Sequence, residues 1–385
     1  MLDAKLWPLY FTQSLRTFAI SLLSLFTGIY IYKTLGSLTF VFLFYLLFHV
    51  IKLLTLFLAE ELSLRKGLKG QIWLGLIFLI SGFSFLFFSA RQPFLVFPAA
   101  IFWGVATSFY WFGRHGLMAK LVQNGHYGQA LGNQVIFSLA PVLLGPILGG
   151  VLINFFGYGA LFAVSLFFIV LSLFTLRTAP EQKTHIDTSP VEILRLFKTH
   201  KRMFLAYFGD SAAAVTYSVG FPLYLFFILE RELSIGEFFS LALVLVAVLN
   251  FLIGKTVDSR GKRGLVSFGS VFSFLIWIAR VVAKEVNFLF FLDVSDKVVE
   301  KMTSIPLEVL TYEKALDGGS TGRAILFREM AIEMGAIFVC LMFLLLRNLR
   351  LSFALAAILT LFPLLLVKRK GIYGDGHKKN GGLAN

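Results

Sequence analysis

The sequence predicts an all-α polytopic membrane protein of about twelve spanning helices, built as two similar six-helix halves. Three observations predict it. Of 385 residues, 58% are hydrophobic and only 15% charged, with a mean hydropathy of +0.82, so too few charged side chains exist to cover a water-soluble core. Apolar stretches recur along the chain, each long enough as a helix to cross roughly 30 Å of hydrocarbon. Finally, a constant shift of 194 residues superposes the first half of the chain on the second.

The apolar stretches fall at 7–32, 38–59, 71–90, 93–113, 130–153, 158–177, 203–229, 236–254, 265–284, 287–312, 323–346 and 351–367. The first is too long for a signal-peptide core and no small-residue cleavage site follows it, so it is expected to stay as the first span. The tenth carries Asp293, Asp296, Lys297, Glu300 and Lys301 and would fail a hydropathy window. Between the sixth and seventh lies the longest polar stretch before the tail, from Thr178 to about His200. The expected domains are therefore an N-terminal bundle over 1–177, a cytoplasmic linker over 178–201, a C-terminal bundle over 202–368, and a Gly-rich, disordered cytoplasmic tail over 369–385.

Lysine and arginine fix the expected orientation. Clusters at Arg65, Lys66 and Lys69, at Arg195, Lys198, Lys201 and Arg202, at Lys255, Arg260, Lys262 and Arg263, and at Lys368, Arg369 and Lys370 all fall in loops on one side. The positive-inside rule makes that side cytoplasmic, with both termini there, as an even number of spans requires. A multi-pass protein of the cell (inner) membrane is expected. The formal net charge of +14 resides in these loops rather than on a face interleaved with aromatics, so a nucleic-acid partner is not expected. The single cysteine, Cys340, lies in an apolar run and reads as packing, with no disulfide or metal site. No cofactor is expected, and the chain is expected to act as a monomer.

The repeat pairs Arg16 of the first span with Asp210 of the seventh, Gly67 with Gly261, Lys69 with Arg263, Gly70 with Gly264, Lys120 with Lys314, Gly128 with Gly322 and Ala130 with Ala324. A fixed offset over more than a hundred positions argues for duplication. Transporters are commonly built from such repeats, with a solute site between them near the bilayer midplane.

After the eighth span, Gly254, Asp258, Arg260, Gly261 and Arg263 form a tight, charged turn. It resembles the GxxxDxxGxR signature of the major facilitator superfamily, at the loop where that family repeats it. In the first-half copy, from Glu60 to Lys69, Leu64 stands where the aspartate belongs. In the fifth span Gly132, Pro141, Gly145, Pro146, Gly149 and Gly150 are similar to that superfamily's antiporter signature, with Pro141 in place of a glycine. Small residues one turn apart let helices approach closely, and proline bends the helix. The resemblance implies the superfamily's two-bundle fold, transport by alternating access, and an inner gate built on the Asp258 turn. It also implies a central cavity lined by the first, fourth, seventh and tenth spans. Arg114 lies at the membrane edge, so the fourth-span arginine role known in the superfamily is not carried over.

Ionisable residues inside spans cost several kcal/mol unless paired or wetted, and so mark a pathway by default. On the tenth span Asp293, Asp296, Lys297, Glu300, Lys301, Ser304 and Glu308 share an arc of roughly 140° at about 100° per residue. The expected solute cavity comprises Arg16, Tyr110, Trp111, Asp210, Tyr217, Asp293, Asp296, Lys297, Glu300 and Lys301. Glu300, Asp296, Glu329, Asp210 and Glu333 are the candidates for coupling to protons or another ion. Arg16 and Asp210 could equally form a structural ion pair between halves. Lys52 and Arg280 read as side chains that snorkel to an interface.

Together these features predict a secondary transporter for a small polar, charged or zwitterionic solute, with the fifth-span signature tilting toward proton-coupled efflux. The alternatives are uptake of a sugar, amino acid or organic ion by the same fold, and a membrane sensor or assembly protein that moves nothing. An enzyme is not expected, since no HExxH or nucleotide-binding loop is present.

Overall fold

The computed structural model describes residues 6–122, 127–183, 190–257, 262–316 and 321–367. They form long helices throughout. The first four spans are Trp7–Leu35, Leu38–Ala59, Glu61–Phe88 and Pro93–Met118. The fifth and sixth lie within Gly132–Thr178, where the chain reverses at Gly157 (φ 79°). The seventh and eighth are Lys201–Leu229 and Glu232–Leu249; the ninth is Gly264–Val282; the eleventh and twelfth are Leu326–Leu346 and Leu349–Val367. The tenth is the helix Val286–Leu316, which is long enough to span and too charged to pass a hydropathy criterion. The sequence-expected dozen is thus present.

Beyond its apolar stretch the second span's helix continues through Arg65 and Lys66, and the third span's helix starts at Leu68 and Lys69. Gly67 (φ 76°) breaks this helix from the second span. There Glu181, from the linker, accepts from the backbone N–H of Lys69 (3.0 Å), while Lys69 Nζ donates to the carbonyls of Arg177 and Ala179 (2.6 and 2.8 Å). A carboxylate at a helix N-terminus meets unpaired N–H groups and the positive end of the dipole. The acidic group that Leu64 does not supply therefore arrives here from the linker, more than a hundred residues away.

The fifth span works as a wedge. Its Gly149 lies against the carbonyl of Leu22 and the ring of Phe26 in the first span, and Gly145 against Ser21. On its other side, Gly150 meets Glu232 and Leu233, and Gly236 of the eighth span meets Pro146 and Ile147. The Ser240 hydroxyl accepts from the Ile147 N–H at 3.0 Å. Gly132 has no neighbour within 4 Å of where a side chain would begin, so the motif's packing role is confined to its last two turns. A Gly149→Val change drives a branched side chain into backbone, and should cost about 1–3 kcal/mol, read as a lower melting temperature of the purified protein.

Chain geometry puts both described ends, Leu6 and Val367, on one face, here the terminal face. On the opposite face the halves are tied together. Lys33 pairs with Glu232 at 2.7 Å, Tyr158 donates to the same carboxylate at 3.0 Å, and Tyr32 stacks edge-on against Phe227. Phe42 and Phe343 lie parallel with centroids 4.1 Å apart. Nearer the terminal face, Leu53 and Leu56 of the second span pack with Leu326 and Met330 of the eleventh, beneath Phe197 of a short linker helix, Pro190–Thr199.

Candidate functional site

Among the described residues, two pockets and two ion clusters gather the intramembrane polar groups. The second-half pocket, about 150 Å³, is walled by Asp210 and Tyr217 of the seventh span, Ser270, Ser273 and Trp277 of the ninth, and Asp296, Lys297 and Glu300 of the tenth. Tyr217 sits in a π-helical turn, Thr216–Gly220, just before Pro222. Proline lacks the N–H that would continue the ladder, and such widened turns re-aim side chains.

Behind that wall is a buried ion cluster. Arg280, with no exposed surface, donates to Asp296 at 2.7 Å and to Asp293 at 3.5 Å, and Lys297 bonds to Asp293 on the next turn. Ser273 adds a donor to Asp296 at 3.1 Å. The guanidinium also lies 4.5 Å from the Trp277 ring and 4.6 Å from that of Phe221. Arg280 therefore does not reach an interface. Its aliphatic stem is short relative to its depth, and two carboxylates one turn apart hold its head in place. Asp210, half-buried, has no hydrogen-bond or ion-pair partner among the described residues.

A second charge cluster bridges the halves, between the second and eleventh spans. Lys52 Nζ lies 2.5 Å from Glu333 and 3.4 Å from Glu329, His49 Nδ1 lies 2.7 Å from Glu333, and Arg328 donates to Glu329 at 3.0 Å. Glu333 is 1% exposed. Lys52, expected to snorkel, is instead drawn inward by two carboxylates of the opposite half.

The first-half pocket is larger, about 480 Å³, and is lined by Gln13, Arg16 and Ser21 of the first span, Trp111 of the fourth, and Gln134 and Ser138 of the fifth. Arg16 lies 3.9 Å over the face of Tyr110. Tyr110 donates to Gln13 Oε1 at 2.5 Å, and Gln13 in turn to Thr17 at 3.1 Å. No Arg16–Asp210 pair forms, because each residue faces a pocket of its own half.

The sequence matches the family model described as Major Facilitator Superfamily over residues 9–292. The chain belongs to the major facilitator superfamily. No curated protein matched it. Among solved structures, a POT family transporter in complex with 5-aminolevulinic acid aligns with a TM-score of 0.71 at 11% identity, covering 94% of this chain and 95% of that one. A POT family transporter in complex with a thioalcohol conjugated peptide gives 0.69, with the same identity and coverage. At such identity these likenesses show the fold alone; membership of the superfamily makes the chain a multi-pass secondary transporter.

Within that fold the sequence-expected cavity residues do not converge on one pocket. Arg16 and Trp111 line the first-half pocket; Asp210, Tyr217, Asp296, Lys297 and Glu300 line the other. The latter opens toward the ninth and twelfth spans, not only toward the inner four. Tyr110 buttresses Arg16 from beneath, Asp293 is wholly buried against Arg280, and Lys301 is half-exposed beside Glu300 at 3.5 Å. Of the gating turn, Gly254 lies within the helix Glu232–Val257, Asp258, Arg260 and Gly261 lie outside the described residues, and the side chains of Arg263 and Glu308 are likewise undescribed. Sequence reasoning missed His49, Gln13, Gln134 and Ser138. Only a polar residue recurring on the inner face of an otherwise apolar span could have flagged them.

Proposed function

We propose that this transporter carries a small polar, charged or zwitterionic solute by alternating access, coupled to protons and directed outward. The row of ionisable groups on the tenth span carries this reading. Asp296, Lys297 and Glu300 stand on a pocket wall at membrane depth beside Asp210, which has no partner among the described residues, and acidic groups there are tolerable only if water, solute or protons reach them. The ligands named for the two similarly folded POT transporters, 5-aminolevulinic acid and a peptide conjugate, both fit a solute with opposite charges, and support that class.

In this picture Glu300, Asp296, Asp210, Glu329 and Glu333 share the coupling role, and the bundles over 1–177 and 202–368 rock about the solute. The terminal face is cytoplasmic, the membrane is the inner cell membrane, and the carrier works as a monomer. The Asp258 turn latches the cytoplasmic gate, and the antiporter-like fifth span favours export. The interactions joining Lys33, Tyr158 and Glu232 close the opposite face.

Vesicles reconstituted with the purified protein and loaded with a mixture of zwitterions, organic cations and organic anions test this. Imposing a pH gradient should deplete at least one solute by mass spectrometry, and Glu300→Gln should slow that depletion at least tenfold. Depletion insensitive to the gradient contradicts proton coupling; depletion of none contradicts a carrier of this class.

A further inference from the structure

We propose that the first-half pocket is an oxyanion subsite in which Arg16 anchors a carboxylate of the solute. The proposal rests on the transporter reading and narrows its solute class. Arg16 is 4% exposed, and an arginine at membrane depth is costly without a compensating charge. Lys52, Lys297 and Arg280 each have one or two carboxylates in contact. Arg16 has none among the described residues, and its Nε is buried with no acceptor.

What surrounds Arg16 is a set of donors. Ser138 lines the pocket, and its buried hydroxyl has no partner among the described residues. Gln134 receives a bond from Arg114 on its amide oxygen, which leaves the amide N–H₂ to donate. A second guanidinium is thereby brought to the same wall. The Tyr110 ring packs 3.9 Å from the Arg16 guanidinium and is itself held by its bond to Gln13, which bonds on to Thr17; a ring on one face leaves the guanidinium edge for a two-oxygen acceptor. A planar guanidinium fork meets a carboxylate bidentately, which a lysine cannot do.

The second-half pocket cannot serve the same ligand. Its lysine is engaged by Asp293, and Asp210, Asp296 and Glu300 line its wall, which repels an anion. Of the two pockets, the one on Arg16 therefore seats an acidic pole, and the free volume of about 480 Å³ accommodates a short acyl chain behind it. The same chemistry would attract the phosphate of an anionic lipid entering between spans, and the test separates the two.

Purified full-length protein is placed in phosphatidylcholine nanodiscs, and its melting temperature is titrated with butanoate, 4-aminobutanoate, succinate, butylamine and butan-1-ol at fixed pH and ionic strength. At least one of the three carboxylates should raise the melting temperature saturably, butan-1-ol should not, and any butylamine response should be independent of Arg16. Arg16→Gln should abolish the carboxylate response, Arg16→Lys should weaken half-saturation at least tenfold, and Ser138→Ala several-fold. Ser138→Ala keeps the test decisive if Arg16→Gln does not fold. A carboxylate response unchanged in these variants, or no response to any carboxylate, overturns the proposal. So does stabilisation by phosphatidylglycerol nanodiscs that Arg16→Gln removes and that blocks carboxylate binding, which would assign the seat to lipid. Saturable, Arg16-dependent binding in a protein that moves nothing across vesicles would uphold the subsite and sink the carrier. Transport of amines or neutral solutes unaffected by Arg16→Gln would do the reverse.

Discussion

Replacing Arg280 with Met is expected to yield little or no folded protein. The change leaves Asp293 and Asp296, buried on the tenth span, with Lys297 and the Ser273 hydroxyl as their hydrogen-bond partners among the described residues. Removing one member of a buried ion pair costs about 3–5 kcal/mol, mostly from the charge left behind, and here two carboxylates lose their shared cation. The loss should be partly reversible by design. Arg280→Met combined with Asp296→Asn removes the closer charge at 2.7 Å, and should recover folded, monodisperse protein by size-exclusion chromatography. If Arg280→Met alone is as stable as the native chain, the guanidinium is not the keystone of this cluster and the second-half pocket needs another support.

Glu333→Leu should have the next largest effect, and should act on the union of the halves rather than on one bundle. Glu333 accepts from both Lys52 and His49 of the opposite half; without it, Lys52 retains only Glu329 at 3.4 Å. A loss of about 3 kcal/mol is expected, at the lower end for a broken buried pair because Glu329 remains. Adding Lys52→Met should return much of that stability, since a well-packed apolar pair often replaces a buried ion pair at little cost. The joint would nevertheless be weakened. A cysteine at Leu56, packed against Leu326 in the native chain, should react with maleimide at least several-fold faster in Glu333→Leu than in an otherwise native Cys340→Ala background. Equal labelling would place the cluster's role within one half.

Much of the architecture was legible in the sequence because lipid imposes one rule on every span. Backbone groups must be satisfied within the helix, so length and hydropathy report spans almost directly. The tenth was legible for a different reason: its charges share one face, which a mean over eighteen residues hides and a helical projection keeps. Partnering was not legible. Arg280 and Lys52 look like snorkelling residues in one dimension, since nothing local to either reveals carboxylates on other spans. Asp296 turns toward the ninth span rather than the midline, and the 194-residue repeat suggested an Arg16–Asp210 pair that the two-pocket arrangement separates. Glu181 is the same lesson in a loop, where a linker residue completes a turn whose own sequence lacks its acid.

The most direct test of the whole account is a pair of spin-label distances across the halves, measured in nanodiscs with Cys340 replaced by alanine. One pair, at Leu139 and Leu245, reports the fifth and eighth spans on the terminal side of their Gly150 to Ser240 contact; the other, at Tyr32 and Phe227, reports the opposite face, where those rings now lie 5.1 Å apart. Alternating access predicts two distance populations whose weights shift together with pH or a bound solute, the first pair closing as the second opens. Single, fixed distances at both ends under every condition would contradict it.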